Sequence, residues 1–409
     1  MPRLRTLDLD LEVITPLMSG GAARQAEVRP PSLRGMMRYW LRALLGGIYG
    51  PSLPLVSAVE GGVFGHQSHT SPLALRVRRG AEAGELPPAG EAWPGLGYLL
   101  YSAYQTRRDA ILPGKTMQLR LQTRPFGLEP IEVDGVELDA GQIWNLGLAS
   151  LWLMTRLGGL GLRMRRGAGN LRLLAEPAGW PDELPPALVR AATPAAYAGE
   201  LAADLAQLRR AFGWKPTVTL AHRPSFTVLH PNVCQIYVLD QVYDSWQAAL
   251  DTLGRAFMAF RSRQPDDYAT VKGAITRPNW RVSGVKRSVF GLPLMFYFSS
   301  LYKQLQEQGV PQREARSRAS AQITPRRGQL RASPLWVRVV RLAGDQPAYA
   351  VQMALFHSQF TSDDMLTLRP SDRNLRPIDF RAPADFSYVQ EWFDHVAKAV
   401  APLAPASFE

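Results

Sequence analysis

The first strand and the first helix of the predicted fold lie in residues 6–45, TLDLDLEVITPLMSGGAARQAEVRPPSLRGMMRYWLRALL. Polar and apolar residues alternate over 6–15, which is typical of a strand with one buried face, and Pro16 ends this strand. Apolar residues then recur every three or four positions over 33–45, which predicts an amphipathic helix. The Gly46-Gly47 pair is expected to end that helix.

The predicted helix carries two stripes of side chains. The apolar stripe, which is expected to pack on the sheet, consists of Leu33, Met37, Trp40 and Leu44. Ser32, in the preceding RPPS sequence, is the predicted N-cap. On a neighbouring face Arg34, Arg38 and Arg42 recur at every fourth position and form what we call the arginine stripe. Like charges so spaced repel unless phosphates or carboxylates neutralise them, and we favour phosphate because acidic residues are outnumbered.

The charge of the whole chain points in the same direction. Among 409 residues, 47 Lys and Arg stand against 35 Asp and Glu, which gives a formal charge of +12. Only six of the basic residues are Lys, so 41 are Arg. Guanidinium groups bind phosphate with a planar fork and stack on bases, so this composition indicates a nucleic-acid partner. A general coding preference for arginine is the alternative explanation.

Composition also argues against two other classes of protein. The single cysteine, Cys234, excludes an internal disulfide and a Cys-only zinc site, and its apolar, strand-like surroundings predict a core position. The longest apolar stretch, 143–157, contains polar residues and is shorter than the ~20 residues that span a bilayer. The N-terminal residues lack the apolar region of a signal peptide. We therefore expect a cytoplasmic protein without a membrane segment.

Further elements extend this pattern along the first half of the chain. Strands are predicted at 73–79, 117–123 and 170–175, and an apolar helix at 142–157. The order strand, helix, strand, strand, helix, strand is that of a ferredoxin-like unit, βαββαβ. Residues 50–100 otherwise favour loops because they are rich in Gly, Pro and Ser.

A Pro-rich junction at 177–186 and helical segments at 187–192 and 200–212 precede a second half of similar α+β character. Its predicted elements are candidate strands at 217–220 and 225–230, a helix at 244–263, a buried strand or helix at 293–298, an exposed loop at 303–332, a hairpin at 335–342 and 349–356, and a helix at 388–400. We therefore predict an α+β fold of two ferredoxin-like (RRM-like) domains, with boundaries at 1–176, 177–216 for the connector, and 217–409.

A second motif, GGLGLRMRRGAGNLR, occupies residues 158–172, which we call the arginine loop. Its five glycines allow close backbone approach, and Arg163, Arg165 and Arg166 add charge. It is not a dinucleotide fingerprint, because Met164 stands where a third glycine is required and the loop follows a helix. Such a loop suits the backbone of a flexible polyanion. An exposed, flexible loop without a ligand is the alternative.

Together, the ITP-x-x-x-GGA start, the RPPS-x-RG helix entry and the arginine loop resemble the repeat-associated mysterious protein (RAMP) superfamily of CRISPR systems. The sequence is most similar to the family of the large RAMP subunit of the type III-B (Cmr) effector complex. The segments VKRSVFGLPLMF at 285–296 and RGQLRASPLWVRVV at 327–340 are also similar to segments of that family.

This resemblance implies a non-catalytic, RNA-binding subunit of a ribonucleoprotein that acts in antiviral defence. Its partners would be the guide CRISPR RNA, the target RNA and other RAMP subunits, and it would cap the filament near the 3′ part of the guide. The RNA contacts implied by the family are Arg29, Ser32, Arg34, Arg38, Arg42, Arg163, Arg165, Arg166, Gly167, Gly169, Arg287, Arg327 and Arg331. The aromatic signature of RNA-recognition motifs is absent, so we expect recognition of backbone and not base stacking on a sheet.

The sequence offers little support for catalysis, a metal or a cofactor. Of six histidines, His66 and His69 are closely spaced, but they lie in a Gly/Ser-rich loop without a nearby carboxylate, which argues against a metal site. We therefore predict no metal, no cofactor and no enzymatic activity. Two alternatives stay open: a metal-independent endoribonuclease of the same superfamily that processes guide RNA, and a basic scaffold whose arginines face acidic partner proteins.

Overall fold

A computed structural model describes residues 4–20, 25–67, 69–106, 108–125, 130–133, 135–213, 223–262, 265–277, 279–328 and 330–408. The described strands are β1 (Thr6–Val13), β2 (Leu73–Arg79), β3 (Ala83–Glu85), β4 (Asp109–Ile111), β5 (Thr116–Thr123), β6 (Ile131–Val133), β7 (Val136–Leu138), β8 (Leu171–Leu173), β9 (Cys234–Leu239), β10 (Leu294–Tyr297), β11 (Ser320–Pro325), β12 (Leu335–Arg341), β13 (Tyr349–Phe356), β14 (Met365–Pro370), β15 (Ile378–Arg381) and β16 (Leu403–Pro405). The described helices are α1 (Pro30–Tyr49), α2 (Leu53–Phe64), α3 (Pro94–Leu99), α4 (Tyr101–Gln105), α5 (Ala140–Leu157), α6 (Pro194–Ala211), α7 (Trp246–Ser262), α8 (Pro265–Thr276), α9 (Ser299–Glu307), α10 (Gln312–Arg318) and α11 (Ser387–Ala399).

The helices and the antiparallel sheets confirm the predicted α+β class. The chain forms two compact units. The larger unit comprises Met1–Ala256, Leu335–Ser358 and Val396–Glu409, and the smaller unit comprises Phe257–Pro334 and Gln359–His395. Within the described residues, no helix has the length and apolar character needed to cross a bilayer.

The larger unit contains two four-stranded antiparallel sheets with the same strand order. Their orders are β2-β5-β1-β8 and β12-β13-β9-β16. In the first sheet, β2 and β5 lie on one side of β1 and β8 lies on the other side. In the second sheet, β12 and β13 lie on one side of β9 and β16 lies on the other side. In chain order, β1, α1, β2, β5, α5 and β8 follow the pattern βαββαβ. The elements β9, α7, β12, β13, α11 and β16 follow it again. The smaller unit holds a third antiparallel sheet, β10-β11-β14-β15.

The predicted core of the first sheet is confirmed. Alternate residues of β1 are buried, and Leu9 and Leu11 lie opposite Leu119 and Met117 of β5. All four residues of the apolar stripe of α1 have no exposed surface, including Trp40. Predicted elements at 73–79, 117–123, 142–157, 244–263, 335–342, 349–356 and 388–400 correspond to β2, β5, α5, α7, β12, β13 and α11.

Both predicted ends of the first helix are wrong. The helix begins at Pro30 after Arg29, which acts as N-cap without a side-chain hydrogen bond, so Ser32 is not the cap. Proline suits the first turn because its missing N–H has no partner there. The helix also continues through Gly46-Gly47, because their lack of a side chain makes room for a neighbouring segment. A Cβ at Gly46 would lie 2.8 Å from Cγ2 of Val228.

Several predicted loops are regular elements instead. The range 50–100 contains α2 and α3, and the range 303–332 contains most of α9, all of α10 and β11. These elements are short or contain glycine pairs and prolines, so the sequence does not show the spacing of apolar residues that identifies a helix or a strand. In contrast, 187–192 is not helical and 225–230 is not a strand, while 217–220 and His222 lie outside the described residues. The strand β10 is only half-buried, because Met295 and Tyr297 are more than half exposed.

Candidate nucleic-acid interface

The arginine stripe lies beside a buried carboxylate from α2. Arg42 Nη1 donates to Glu60 Oε2 at 2.7 Å, and Arg38 Nε donates to Glu60 Oε1. Arg38 Nη2 also donates to the carbonyl oxygen of Gly65 at 2.6 Å. Glu60 is 5% exposed, while the side chains of Arg38 and Arg42 remain 31% and 34% exposed. One carboxylate therefore offsets part of the charge of two arginines and holds both side chains in place.

The third member of the stripe, Arg34, is in a more positive environment. Burial lowers the pKa of its guanidinium, and the neighbouring charges of Arg124 and Arg38 lower the pKa further. A bound anion would offset both effects. The start of the same helix places Arg29 at the surface and Ser32 partly buried, with the backbone N–H groups of Ser32 and Leu33 donating to the Arg29 carbonyl oxygen.

The three arginines of the arginine loop that carry its charge, Arg163, Arg165 and Arg166, are partly buried. Arg163, in the left-handed conformation at φ 60°, donates from Nε to Ser102 Oγ at 2.8 Å and lies 5.4 Å from the ring centre of Tyr101. Burial lowers the pKa of Arg163, and the nearby Tyr101 opposes this effect. Arg166 is partly buried in the short 3-10 helix Met164–Arg166.

Arg165 joins the arginine loop to the helix of the arginine stripe. Its guanidinium carbon lies 4.6 Å from the ring centre of Trp336 and 5.5 Å from that of Tyr39. Nη2 of Arg165 also donates to the hydroxyl of Tyr39 at 3.3 Å. Because Tyr39 lies in α1, Arg165 holds the arginine loop against the helix that carries the arginine stripe.

The backbone conformation of the arginine loop and its close packing require glycine at two positions. Gly167 and Gly169 have φ values of 86° and 64°, which side chains rarely adopt. A Cβ at Gly169 would lie 1.9 Å from the carbonyl oxygen of Leu160. The N–H of Gly169 donates to Pro16 O at 2.9 Å, and its own carbonyl accepts from Leu160 N at 2.9 Å.

Two buried polar side chains fix both ends of this loop. Arg338, in β12, donates to Gly158 O at 2.7 Å and to Leu171 O at 2.6 Å. Asn170 donates to Gly158 O at 3.2 Å and accepts from the N–H of Val339 at 2.8 Å. Burial lowers the pKa of Arg338 to about 10, so it stays charged at neutral pH. Sequence reasoning missed both residues because their burial depends on tertiary packing.

The three arginines of the smaller unit that are predicted to contact RNA have different neighbours. Arg287 donates from Nη2 to Arg261 O at 2.8 Å, and its Nε lies 3.7 Å from Asp267 Oδ2. Arg331 donates to Gln359 O at 3.2 Å, with its guanidinium 4.8 Å from the ring centre of Phe360. Arg327 is exposed in the segment between β11 and β12.

Two histidines that could support catalysis lie in the segment that follows α2, beside the arginine stripe. His66 and His69 are exposed, with ring centres 6.3 Å apart, and His69 Nε2 lies 3.0 Å from Gly61 O. In the part of the chain that the structure describes, no three His, Cys, Asp or Glu side chains are grouped to hold a metal ion. Cys234 is buried, as predicted, and burial raises the pKa of its thiol well above the ordinary value.

Comparison with known proteins identifies the family to which this chain belongs. The family model of the RAMP superfamily matches residues 10–172, which include the arginine stripe and the arginine loop. The CRISPR system Cmr subunit Cmr1-2 of Pyrococcus furiosus is 32% identical over 177 residues, which are 40% of this chain and 92% of that protein. The chain therefore belongs to the RAMP superfamily, as the resemblance of its motifs predicted.

Within this superfamily, the chain is similar to Cmr1 proteins. The crystal structure of apo Cmr1 from Pyrococcus furiosus has a TM-score of 0.60 at 16% identity and covers 99% of both chains. A chain of the type III-B Cmr-beta complex bound to cognate target RNA, solved by cryo-electron microscopy, has a TM-score of 0.50 at 11% identity. That match covers 97% of this chain and 99% of the other. These two structural likenesses show a shared fold.

The position of the arginine loop is expected to depend on Arg338. Replacement by Met leaves the buried carbonyls of Gly158 and Leu171 without their charged donor, so Arg338→Met should lower the free energy of unfolding by about 1–3 kcal/mol. Chemical denaturation measures this change. The control is Arg172→Met, which removes a partly exposed arginine paired with Glu12 and should cost less than about 1 kcal/mol. Equal stability of the two variants would contradict a structural role for Arg338.

Proposed function

We propose that the chain is a non-catalytic, RNA-binding subunit of a type III-B CRISPR effector complex. It binds the backbones of the guide CRISPR RNA and the target RNA, contacts other RAMP subunits, and caps the filament near the 3′ part of the guide. It acts in the cytoplasm, in antiviral defence. Membership of the RAMP superfamily and the Cmr1 relatives support this proposal.

The observation that carries the proposal is the contact of Arg165 with Tyr39. This contact places the arginine loop against the helix of the arginine stripe, and the arginines of both motifs form the proposed cationic surface. Its members are Arg34, Arg38, Arg42, Arg163, Arg165 and Arg166. Packing on Tyr101, Tyr39 and Trp336 orients the guanidinium groups of Arg163 and Arg165 before any ligand binds, which reduces the entropy lost on binding.

The same packing favours binding to the RNA backbone over base stacking at this surface. The guanidinium of Arg165 lies over the ring of Trp336, which is only 1% exposed. That ring is therefore not available to a base. Guanidinium N–H groups on such a surface suit phosphate oxygens, which every nucleotide carries. Affinity should accordingly depend on salt and little on sequence.

Each sheet of the larger unit, we further propose, is the core of one ferredoxin-like domain. The strand orders and the repeated βαββαβ pattern support this interpretation. The first segment of the smaller unit runs from Phe257, within α7, to Pro334, directly before β12. Its second segment runs from Gln359, after β13, to His395, within α11. The chain-order boundaries 1–176, 177–216 and 217–409 stay a prediction.

The RNA-binding role predicts the effect of removing the loop arginines. The triple variant Arg163→Ala/Arg165→Ala/Arg166→Ala should bind single-stranded RNA at least about tenfold more weakly. The slope of log affinity against log salt should fall by roughly 0.7 for each lost phosphate contact. Fluorescence anisotropy at several salt concentrations measures both quantities.

A matched control for this triple variant is Arg76→Ala/Arg78→Ala/Arg79→Ala, which removes the same charge from exposed positions of β2. Because Arg163 and Arg165 also pack on aromatic rings, the melting temperature of each variant is measured in parallel. The single variant Arg165→Lys keeps the charge and should retain most of the affinity. Equal affinities of the two triple variants would contradict the proposed interface.

One observation favours the alternative of a guide-processing endoribonuclease. Arg38 donates to the carbonyl oxygen of Gly65, directly before His66, so the histidine pair lies beside the arginine stripe. A metal-independent endoribonuclease needs a general acid and a general base of this kind near the RNA backbone.

The non-catalytic proposal predicts no cleavage of repeat-containing RNA by the pure protein in EDTA. Denaturing gel electrophoresis of end-labelled RNA provides the measurement. Specific cleavage that is lost in His66→Ala/His69→Ala would establish the endoribonuclease instead. Cleavage that this double variant retains would be assigned to a contaminating nuclease.

A further inference from the structure

The sheet of the smaller unit has one buried face and one largely accessible face, here called the open face, on which Thr367 is buried. Phe296 of β10, Ile323 of β11 and Leu368 of β14 point to the buried face, which packs in part against α8. Residues directly opposite each other in neighbouring strands share a face, so the register assigns Met295, Gln322 and Arg369 to the open face. Alternation of this kind is typical of an antiparallel sheet with one solvated face.

Large apolar and aromatic side chains stand exposed on this open face. Met295 is 56% exposed and Tyr297 is 51% exposed, both on the edge strand β10. The ring of Tyr297 lies 5.9 Å from that of Tyr302, and the guanidinium of Arg316 lies 5.9 Å from the centre of the Tyr297 ring. An exposed ring beside a cation is the arrangement on which an unpaired base stacks.

Positive charge lies on the same face of the sheet as these side chains. Arg369 and Arg381 are exposed on the same face, with Asp379 as the acidic residue of that face, hydrogen-bonded to Thr367 Oγ1 at 2.6 Å. The smaller unit has 18 Lys and Arg against 11 Asp and Glu, a formal charge of +7 of the +12 of the whole chain. A phosphate backbone complements this charge, whereas a basic or uncharged protein surface does not.

We propose that the open face of the sheet β10-β11-β14-β15 is a second binding site, and that its ligand is single-stranded RNA. Tyr297 stacks on a base, and Arg316, Arg369 and Arg381 contact phosphates. This goes beyond the interface of the larger unit, which binds backbone alone, and shares only its class of ligand. It also departs from the expectation that no sheet of this chain stacks bases.

Two variants of the full-length chain separate stacking from charge. Tyr297→Ser should lower the affinity for a 20-nucleotide single-stranded RNA about 5- to 100-fold, the effect of losing one base stack, without changing the salt slope. Tyr297→Phe keeps the ring and should bind as the wild type does. Arg369→Gln/Arg381→Gln should lower the salt slope by about 1.4, which corresponds to two phosphate contacts.

The charge control is Arg373→Gln/Arg376→Gln, which removes two exposed arginines from the segment between β14 and β15. Double-stranded RNA of equal length is the ligand control, since its bases are already stacked and Tyr297→Ser should not change its affinity. Wild-type affinity for single-stranded RNA in Tyr297→Ser, with equal salt slopes in the two arginine pairs, would overturn the proposal.

The triple variant of the arginine loop is measured beside these variants and keeps the two proposals distinguishable. Loss of affinity in that variant alone leaves the interface of the larger unit standing and removes the second site. Loss of affinity in the sheet variants alone leaves the second site standing and removes the interface of the larger unit.

Discussion

The side chain of Arg338 is buried in the larger unit, where it donates to carbonyl oxygens at the two ends of the arginine loop. Placing a charged group there is costly unless its donors are satisfied, so the two carbonyls and the guanidinium depend on one another. Because β12 also carries Trp336, this arrangement sets the ring beneath Arg165. The position of the loop on α1 therefore follows from a residue that need not touch a ligand.

The charges of the proposed interface are also held in place by a buried polar group. Glu60 accepts hydrogen bonds from Arg38 and Arg42 and so orients two guanidiniums that would otherwise repel each other. Arg34 has two other guanidiniums as its charged neighbours, and burial adds to their effect on its pKa. Glu60 therefore offsets part of the positive charge without a ligand, and the remaining charge favours binding of a polyanion. Aromatic support under the loop arginines adds rigidity, which suits recognition of a repeating backbone.

Local sequence patterns predicted those parts of the fold that local patterns determine. The alternation of 6–15 and the apolar stripe through Trp40 identified β1 and the buried face of α1, since burial of one face imposes that spacing. The arginine motifs were also visible, because their spacing and glycine content are local features. Pairing of the arginine stripe with Glu60 was not predictable, since the glycine pair Gly61-Gly62 concealed α2. The role of Arg338 was not predictable either, because the sequence shows only a charged residue in an apolar strand. Tertiary packing buries its side chain and places it where it donates to the carbonyl oxygen of Gly158.

Whether the arginines of this chain hold an RNA backbone is tested best by the affinity of the isolated protein for single-stranded RNA, titrated against salt. Double-stranded DNA of equal charge is measured beside it. We expect tight, sequence-tolerant RNA binding. The logarithm of the affinity should fall linearly with the logarithm of salt concentration, with a slope of several units. Weak binding to both nucleic acids at low salt, or an affinity that salt does not change, would contradict it and would assign the arginines to contacts with acidic partner proteins.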